Sequence, residues 1–545
     1  MKINSIQPYH FSFKGAQMSI TAFSDTHGQL EDIGSFWEEI EKNKDDIFLK
    51  EGKGKKDVVA VAGDWFMAGN VKGYKSNPDY NSQKYQLLFF NKLMKMFSRM
   101  SKSITSIFTI GNHELDAGFE EFSKCARKLN SQIVATNVDL ESSDVLKHHA
   151  LRSKTIEIQD DKDPSLVHKV LFLGVSPGNM SYYNKKLEGI KFSDDVYKPQ
   201  SKITPDEVKN SINAVKKEIE DFKKENPKGV VVLLDHFGGT FQDELLRQKL
   251  PVNVILSAHE HLDYDELKGS TLIVKLFQNF KKFENVKINF DDNGDLSGIK
   301  THAYYPKGLS GTNEMQDFYE RVFKKDIEQS YSIPARDGIC DLELKGVRYK
   351  NSYLANYITD VILNRIQKRI PETDFFALNA SAIRGPLKTK EGGEVNNINI
   401  LLTLNGIRNE DANIMLSRVT GREILYMIVE NVMSNAQSRE KNPLNHYSGL
   451  SYNKTMLIKG IQMGLDEKNL ISFIRDKNGE PLDLDREYLL ANVEKFFLKS
   501  KNPFIKELYT SNRTAMTLLN AKEEFKKHFE ENLNEVSASK EIRVS

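Results

Sequence analysis

The chain has 545 residues, 39% of them apolar, and its 77 Lys and Arg against 76 Asp and Glu leave a formal net charge of +1. This balance excludes a global basic field that would draw the protein to nucleic acid or to an anionic membrane. Two cysteines exclude a disulfide scaffold and a cysteine-rich zinc site. At about 150 residues per domain the length allows three or four domains, and large α/β domains lower that number.

Residues 1–17 are predicted to form an N-terminal tail. No apolar run follows Lys2 as it would in a signal peptide. The longest aliphatic runs, such as residues 230–234, are far shorter than the ~20 residues of a membrane-spanning helix. We therefore expect a soluble, cytoplasmic protein without a membrane partner, and export by a route that uses no signal peptide stays open.

Short apolar runs alternate with amphipathic, charged segments through the first 300 residues. The pattern predicts helices over residues 84–100 and 205–224, and strands over residues 19–24, 58–62, 106–110, 170–175, 230–234 and 252–256. Two alternating strands then follow, over residues 286–290 and 296–305, with the hairpin turn Asn293-Gly294 between them. Strand–helix alternation of this kind predicts a layered α/β fold rather than a β-sandwich.

A second pattern begins after the linker-like sequence PKGLSGT at residues 306–312. It predicts a strand over residues 374–378, a hairpin turn at Asn478-Gly479, and helices over residues 313–329, 351–370 and 422–434. We therefore predict two domains, residues 18–305 and 346–545, joined by a hinge region over residues 306–345.

Polar side chains cluster where the predicted strands of the first domain end. The cluster includes five of the twelve histidines of the chain. The residues at these strand ends are Asp25, His27, Asp64, Asn112, His113, His236, His259 and His261. Because ligands bind at the carboxyl ends of strands in open α/β sheets, we expect these residues to share one site.

Carboxylate, imidazole and amide groups in this pattern suit divalent cations. Each of the motifs Asp-x-His and His-x-His places two ligands on one turn, and the carboxylate of Asp64 has two oxygens with which to bridge. The set suits a two-metal centre with ions ~3.5–4 Å apart, the arrangement that clamps phosphate esters. Mn, Zn, Fe, Co and Mg all stay open as the metal.

The motifs D-x-H, G-D, G-N-H-E, H and H-x-H, in this order, resemble those of the calcineurin-like metallophosphoesterases. The sequence GNHELDAGFEEF, residues 111–122, is more narrowly similar to the 5′-nucleotidase branch. The resemblance implies a four-layer domain of two β-sheets flanked by helices, followed by an α+β substrate-binding domain. It also implies phosphoester hydrolysis by a metal-activated water, without a covalent phospho-enzyme.

The resemblance further implies individual roles in this centre. The first metal ion is expected at Asp25, His27 and His261, the second at Asn112, His236 and His259, and Asp64 is expected to bridge them. His113, oriented by Asp116, is expected to stabilise charge on the phosphoryl oxygens or the leaving group. Ala258 and Asp235 depart from the family pattern, in which Gly and Ser are commoner.

The second domain resembles the 5′-nucleotidase substrate domain more faintly. The sequence NASAIR, from Asn379 to Arg384, is similar to the family signature N-G-G-G-I-R, and Arg348 matches another basic position. Two guanidinium groups and an amide suit an anionic substrate. The aromatic clamp for the base is altered, so Phe496 is a candidate for stacking or for packing in the core, and Arg408 is a candidate replacement for part of the clamp.

These observations predict a dinuclear metal-dependent phosphohydrolase that acts on a small, nucleotide-like phosphate monoester. A phosphodiesterase acting on cyclic nucleotides or nucleotide sugars stays open, as does a non-catalytic protein that senses a nucleotide. A DNA nuclease shares the metal motifs, but the near-neutral charge offers no basic track for nucleic acid. No oligomeric state is predicted.

Overall fold

The computed structural model describes residues 16–50, 52–66, 82–116, 118–177, 188–194, 203–324, 330–332, 341–342, 352–383, 387–388, 394–396, 399–400, 403–404, 406–407, 412–437, 445–493, 507–508 and 511–531. The described residues up to Tyr319 form one compact unit, and those from Glu320 onward form a second. The predicted tail lies almost entirely outside the described residues. The bounds of the predicted hinge region stay a prediction.

The described residues of the first unit form thirteen strands. They are β1 (Gln17–Phe23), β2 (Lys55–Val61), β3 (Thr105–Phe108), β4 (Gln132–Val134), β5 (Ala150–Leu151), β6 (Ser153–Gln159), β7 (Val167–Val175), β8 (Val230–Asp235), β9 (Val254–Ser257), β10 (Asp265–Lys268), β11 (Thr271–Lys275), β12 (Phe283–Phe290) and β13 (Leu296–Tyr304). All eight strands predicted up to residue 305 are present, with ends shifted by up to three residues.

The strands form two sheets. One has the order β13-β12-β1-β2-β3-β4-β5 and the other the order β10-β11-β9-β8-β7-β6. The pairs β1–β2, β2–β3, β7–β8 and β8–β9 are parallel. The carboxyl ends of β1 to β3 therefore lie at one edge of the first sheet, and those of β8 and β9 at one edge of the second.

Helices connect the strands of the first unit. They are α1 (Ile33–Lys42), α2 (Lys44–Ile47), α3 (Ser82–Met100), α4 (Phe119–Ala126), α5 (Asp144–His149), α6 (Lys209–Glu225), α7 (Gly239–Arg247) and α8 (Glu314–Val322), the last of which crosses the division between the units. Of the helix predicted over residues 313–329, the structure describes α8, which ends at Val322, and residues 325–329 lie outside the described residues.

Alternation along β7 shows how the layers pack. Val170 and Phe172 lie in a core that also contains Ile20 and Val58 of the first sheet. The intervening residues Leu171 and Leu173 face a separate core with apolar residues of α6 and α7. Since successive side chains of a strand point to opposite faces, the second sheet has the first sheet on one side and helices on the other. The predicted α/β architecture of two sheets flanked by helices is confirmed.

The second unit has eleven strands and five α-helices among its described residues. The strands are β14 (Ser330–Ser332), β15 (Asp341–Leu342), β16 (Phe375–Asn379), β17 (Leu387–Lys388), β18 (Glu394–Asn396), β19 (Asn413–Thr420), β20 (Asn445–Ser448), β21 (Leu450–Tyr452), β22 (Ile474–Asp476), β23 (Glu487–Val493) and β24 (Thr514–Asn520). The helices are α9 (Tyr353–Gln367), α10 (Gly421–Gln437), α11 (Lys454–Gln462), α12 (Glu467–Leu470) and α13 (Ala521–Glu530).

A five-stranded sheet of order β20-β16-β23-β19-β24 is the centre of the second unit. Along β16, Phe376 and Leu378 pack against α9 and α13, whereas Phe375 and Ala377 pack against α10 and α11. Both faces of the sheet are thus covered, as an α+β domain requires. Among the described residues of either unit, none of the helices is long and apolar enough to cross a membrane. The cytoplasmic location stays a prediction.

The core between the two sheets of the first unit gives a stability prediction. Phe172→Ala should lower the free energy of unfolding by about 3–5 kcal/mol, because it removes a fully buried aromatic ring and leaves a cavity. Val167→Ala is the matched control on the same strand, since Val167 is 40% exposed. Both tryptophans of the chain, Trp37 and Trp65, lie in the first unit. Urea unfolding followed by their fluorescence measures both variants, and equal effects would contradict the described core.

Candidate metal centre

The predicted ligands of the first unit meet at the facing edges of its two sheets. Asp25 and His27 follow β1, Asp64 follows β2, and Asn112 lies four residues after β3. His236 follows β8, and the turn with His259 and His261 follows β9. All seven side chains are buried or nearly so. The structure thus brings together the six Asp and His residues that the sequence proposes as metal ligands. It places the seventh, Asn112, directly before His113, whose backbone N–H donates to Asp64. Their roles as ligands stay predictions.

Backbone strain is concentrated at this place. Eight non-glycine residues among those described have a positive φ angle. Five of them are predicted ligands: Asp25 (52°), His27 (50°), Asp64 (54°), His259 (68°) and His261 (54°). Such conformations cost of order 1–3 kcal/mol each and persist where the surroundings require them, which is characteristic of functional sites. Each turn directs a side chain into the centre at this cost.

Two glycines allow the strand ends to approach one another. A Cβ atom at Gly63 would lie 2.6 Å from His236 Nδ1, and one at Gly111 would lie 2.2 Å from Asp64 Oδ1. Neither position has room for a side chain. The glycines of the G-D and G-N-H-E motifs are therefore required by the closeness of their neighbours.

Asp25 is the centre of the first group of ligands. Its Oδ1 lies 3.1 Å from His261 Nε2 and 3.8 Å from His27 Nε2. Its Oδ2 accepts hydrogen bonds from Ser24 Oγ at 2.6 Å and from the backbone N–H of His259 at 3.1 Å. The carboxylate is thus held in place by one turn while it faces the imidazoles of two others.

Asp64 lies between this group and a second. Its Oδ2 is 3.0 Å from His236 Nε2 and 3.5 Å from His27 Nε2. Its Oδ1 accepts a hydrogen bond from the backbone N–H of His113 at 2.8 Å. Asp64 therefore has the position that a bridging carboxylate needs.

The donor atoms are close enough to bind cations. Three sets have all their ligand atoms within 4.8 Å of one another: Asp25, His27 and His261; His27, Asp64 and His113; and Asp64, His236 and His259. The first and third sets match the two predicted metal positions. The buried Oδ1 of Asn112 has no hydrogen-bond partner among the described residues, as a predicted ligand of the second ion would. The residues present therefore fit a pair of divalent cations.

The imidazole of His236 is oriented by a backbone carbonyl. Its Nδ1 lies 2.6 Å from the carbonyl oxygen of Ala62. Since a carbonyl only accepts, Nδ1 carries the proton and Nε2 faces Asp64. This is the arrangement that metal-binding histidines use, with the second ring nitrogen donating to a protein oxygen.

His113 and Asp116 form the predicted dyad. His113 Nδ1 lies 2.8 Å from Asp116 Oδ2, and His113 Nε2 points towards Asp64, at 4.0 Å from its Oδ2. Asp116 thus fixes the ring while the other ring nitrogen faces the centre.

The carboxylates of the centre stay ionised although they are buried. Burial alone would raise the pKa of Asp25, but the His261 ring outweighs it and holds this pKa well below its usual range. In the same way His236 holds the pKa of Asp64 low, and Asp64 raises the pKa of His236 to about 10 against the effect of burial. The two carboxylates thus attract positive charge into the interior, whether on protons or on cations.

Glu114 has a role that its motif alone does not reveal. Its Oε2 accepts the backbone N–H groups of Asp64 at 2.9 Å and of Gly111 at 2.6 Å, and its Oε1 accepts that of Phe66 at 2.9 Å. Burial, followed by the nearby Asp64 carboxylate, raises the pKa of Glu114 to about 8. Glu114 therefore joins the turns after β2 and β3.

A buried lysine joins two further turns, and the sequence offered no signal for it. Lys275 Nζ donates to Glu260 Oε2 at 2.7 Å and to Gln242 Oε1 and Ser257 Oγ, both at 3.0 Å. Gln242 Nε2 in turn donates to Asp235. Glu260 lies between His259 and His261, and Asp235 precedes His236. This network, here called the Lys275 network, therefore connects both histidine turns of the second sheet.

The predicted substrate-binding residues are only partly described. Asn379 ends β16, where its Oδ1 accepts the backbone N–H of Ser381 at 3.0 Å and its Nδ2 donates to Asn445 Oδ1 at 2.8 Å. Its side chain therefore holds the following turn. The other four predicted residues lie outside the described residues: Arg348, Arg384, Arg408 and Phe496.

Two protein-family models match separate parts of the chain. The family model of calcineurin-like phosphoesterases matches residues 18–263, and that of the 5′-nucleotidase C-terminal domain matches residues 332–504. The chain is also similar to the trifunctional nucleotide phosphoesterase protein YfkN of Bacillus subtilis (strain 168), with 21% identity over 409 residues. That match covers 70% of this chain but only 26% of the relative, so the chain spans about a quarter of its length.

Solved structures share the fold along nearly the whole chain. The 5′-nucleotidase precursor of Thermus thermophilus has a TM-score of 0.62 at 16% identity, covering 97% of this chain and 99% of that one. The sulfate thiohydrolase SoxB of Thermus thermophilus has a TM-score of 0.64 at 14% identity, with coverage of 99% and 98%. The 5′-nucleotidase of Candida albicans SC5314 has a TM-score of 0.53 at 12% identity, and the match covers 96% of this chain and 100% of that one. At these identities the comparisons show a common fold.

The Lys275 network gives a prediction on stability. Lys275→Met should lower the free energy of unfolding by about 3–5 kcal/mol, because it removes the ammonium group from beside the carboxylate of Glu260, whose side chain is only 10% exposed. The double variant Lys275→Met/Glu260→Met should recover much of this loss. Urea unfolding followed by tryptophan fluorescence measures both variants.

Lys268→Met is the control for this prediction. Lys268 also pairs with a glutamate, Glu266, but its side chain is 46% exposed. Loss of this ion pair should lower the free energy of unfolding by less than about 1 kcal/mol, as for other exposed pairs. If Lys275→Met were as mild as this control, or the double variant as unstable as the single one, the network would not have the role described.

Proposed function

Because the chain belongs to the calcineurin-like phosphoesterases and carries a 5′-nucleotidase C-terminal domain, we propose that it is a two-metal phosphomonoesterase that acts on a nucleotide-like substrate. One observation carries the proposal. Asp64 belongs to one compact set of ligand atoms with His236 and His259 and to another with His27, which is also in the set of Asp25 and His261, at the facing edges of the two sheets. A structural ion-pair network would not need Asn112 Oδ1 to be buried without a partner.

The proposed cofactors are two divalent ions, one at Asp25, His27 and His261 and the other at Asn112, His236 and His259, with Asp64 shared. When bound, such ions place positive charge against the phosphoryl oxygens and lower the pKa of water that attacks the phosphorus. Mn, Zn, Fe, Co and Mg are all compatible with this donor set. The protein contributes fixed ligand directions, which the strained turns and Glu114 maintain.

His113 is proposed to act on the leaving group. With Nδ1 held by Asp116, only Nε2 faces the centre, and there the imidazolium form can donate a hydrogen bond or a proton to an oxygen of the substrate. Asp116 holds the ring in the orientation that this donation needs. A histidine that donates in this way assists the departure of an alkoxide, which is the demanding step in hydrolysis of a nucleoside monophosphate.

The substrate class rests on the second domain. Its family is that of the 5′-nucleotidase C-terminal domain, and several relatives of this fold are named as nucleotidases. Asn379, Arg348 and Arg384 are proposed to bind the anionic, hydrogen-bonding substrate, with Arg408 and Phe496 as candidates beside the base. The altered aromatic clamp favours a nucleotide-like molecule over AMP itself.

The first test is a substrate panel with metal-stripped protein reloaded with Mn²⁺. The panel contains 5′-nucleotides, other phosphomonoesters, cyclic nucleotides, a bis-aryl phosphodiester and an aryl sulfate, the last because a sulfate thiohydrolase shares the fold. We expect phosphomonoesters to be hydrolysed fastest and 5′-nucleotides to be preferred. Preference for a diester would favour a phosphodiesterase instead. Binding of nucleotides without any turnover, at two Mn²⁺ per chain, would favour a sensing protein.

Asp64→Asn tests the bridging position. It should lower kcat by about 100-fold or more, because the neutral amide removes a charge that both ions would share. The fold should persist, since an amide oxygen can still accept the N–H of His113. Mn²⁺-dependent hydrolysis and the thermal unfolding midpoint are measured together. Asp139→Asn is the control, because the Asp139 side chain is 46% exposed and lies outside the ligand set. Near-normal activity of Asp64→Asn would contradict the two-metal mechanism.

Asn379→Ala combined with Arg384→Ala tests the substrate class. The double variant should raise KM for a 5′-nucleotide about tenfold or more, from the loss of an amide contact and a guanidinium contact. An aryl phosphate, which needs only the metal centre, should be little affected. Asn445→Ala is the control, because it removes the structural partner of Asn379 and leaves the amide itself. Equal loss for both substrates would contradict the assignment.

A further inference from the structure

The loop between β11 and β12 contains two consecutive non-glycine residues in the left-handed region. Asn279 has φ 56° and Phe280 has φ 55°. Neither residue is a predicted ligand, and the motifs of the sequence do not include them. Such strain, of order 1–3 kcal/mol for each residue, persists only where the surroundings enforce it.

An aromatic cluster enforces this conformation. The ring of Phe280 is buried, with its centroid 4.9 Å from that of Phe36, 5.6 Å from that of Trp65 and 6.4 Å from that of Phe23. Burial of one large aromatic ring contributes enough to offset the strain of the turn. The ring therefore anchors the loop, and its preceding residue is presented to the metal centre.

Asn279 makes two contacts with the turn after β1. Its backbone N–H donates to the carbonyl oxygen of Asp25 at 3.0 Å. Its Oδ1 lies 3.4 Å from Nδ1 of His27, and the residue is only 7% exposed. One residue thus contacts both members of the Asp-x-His motif, the first through its backbone and the second through its side chain.

The side-chain contact determines which nitrogen of His27 is available. Since Oδ1 of an amide only accepts, Nδ1 of His27 carries the proton, and the lone pair is left on Nε2. That atom lies 3.5 Å from Asp64 Oδ2 and 3.8 Å from Asp25 Oδ1, on the side of the predicted cations. Ala62 and Asp116 perform the corresponding task for His236 and His113.

We propose that Asn279 is a positioning residue that holds the ring and the tautomer of His27 and so increases the affinity of the first metal position. This inference rests on the proposed two-metal function. Partners of this kind contribute about 10–100-fold to metal affinity. The strained backbone is the means by which the loop delivers the amide to the ring.

Three substitutions of Asn279 distinguish the effect of its side-chain amide from that of its strained backbone. Asn279→Leu removes the acceptor at similar volume, and Asn279→Gly removes it while it also relieves the positive φ angle. Asn279→Asp keeps an oxygen acceptor at the same place. Lys249→Gly is the control, because Lys249 has φ 53° and lies in the turn after α7, outside the ligand set.

The experiment measures Mn²⁺ binding to metal-stripped protein by equilibrium dialysis, together with the thermal unfolding midpoint of the metal-free protein. We expect Asn279→Gly and Asn279→Leu to bind one of two Mn²⁺ ions about tenfold more weakly or worse. Asn279→Asp and Lys249→Gly should bind within about threefold of the natural protein. Asn279→Gly should not lower the midpoint of the metal-free protein, so weakened binding would not reflect unfolding.

Two results would overturn the inference on Asn279 without contradicting the proposed function. One is tight binding of two Mn²⁺ ions by Asn279→Gly, and the other is weak binding by Asn279→Asp to the same degree as Asn279→Gly. A natural protein that binds no Mn²⁺ would instead overturn the proposed function, and the inference with it.

Discussion

A single buried carboxylate, that of Asp64, sets the requirements for the rest of the first unit. It lies within 3.5 Å of imidazoles from both sheets and stays ionised in the interior because His236 offsets the cost of burial. To place it there, the backbone takes a left-handed conformation and two neighbouring strand ends come into contact at glycines. Glu114 then holds those ends by their N–H groups. The centre is thus a set of turns built around one negative charge.

The layered fold supplies the places that such turns need. Parallel strands end at a common edge, so each sheet delivers several turns to one region without long loops. The core between the sheets, with Phe172 and its neighbours, then fixes the distance between the two edges. Positioning within the centre depends on a rigid scaffold rather than on the ligands themselves, which explains why strain can be tolerated at five of them.

Much of this arrangement could be predicted from the sequence because its signals are local. An apolar run that ends in Asp-x-His or His-x-His shows both the strand and the residues at its end, and the alternation of strands with helices predicts the layers. The same holds for the hairpin at Asn293-Gly294, where the turn residues carry the signal. These features require only a few adjacent residues.

The supporting residues could not be predicted because their partners are distant in the chain. Glu114 accepts N–H groups some fifty residues away, and Asn279 meets His27 across about 250 residues. Lys275 ends a strand and reads as a solvent-exposed residue, whereas it is buried against Glu260 and Gln242. In the second domain the motifs are faint, so the residues that would bind a nucleotide base stay a proposal.

The Lys275 network has a consequence for how this sequence can change over evolutionary time. Lys275 and Glu260 form an ion pair whose side chains are only 4% and 10% exposed, so replacing either one alone removes the opposite charge from beside the other. Intermediates with one substitution are therefore selected against, and the two positions should change together or not at all. Ser257 also accepts a hydrogen bond from the ammonium group of Lys275, so its variation should be linked to that of the pair. Aligned descendants of this chain should thus show linked variation at positions outside the predicted ligand set.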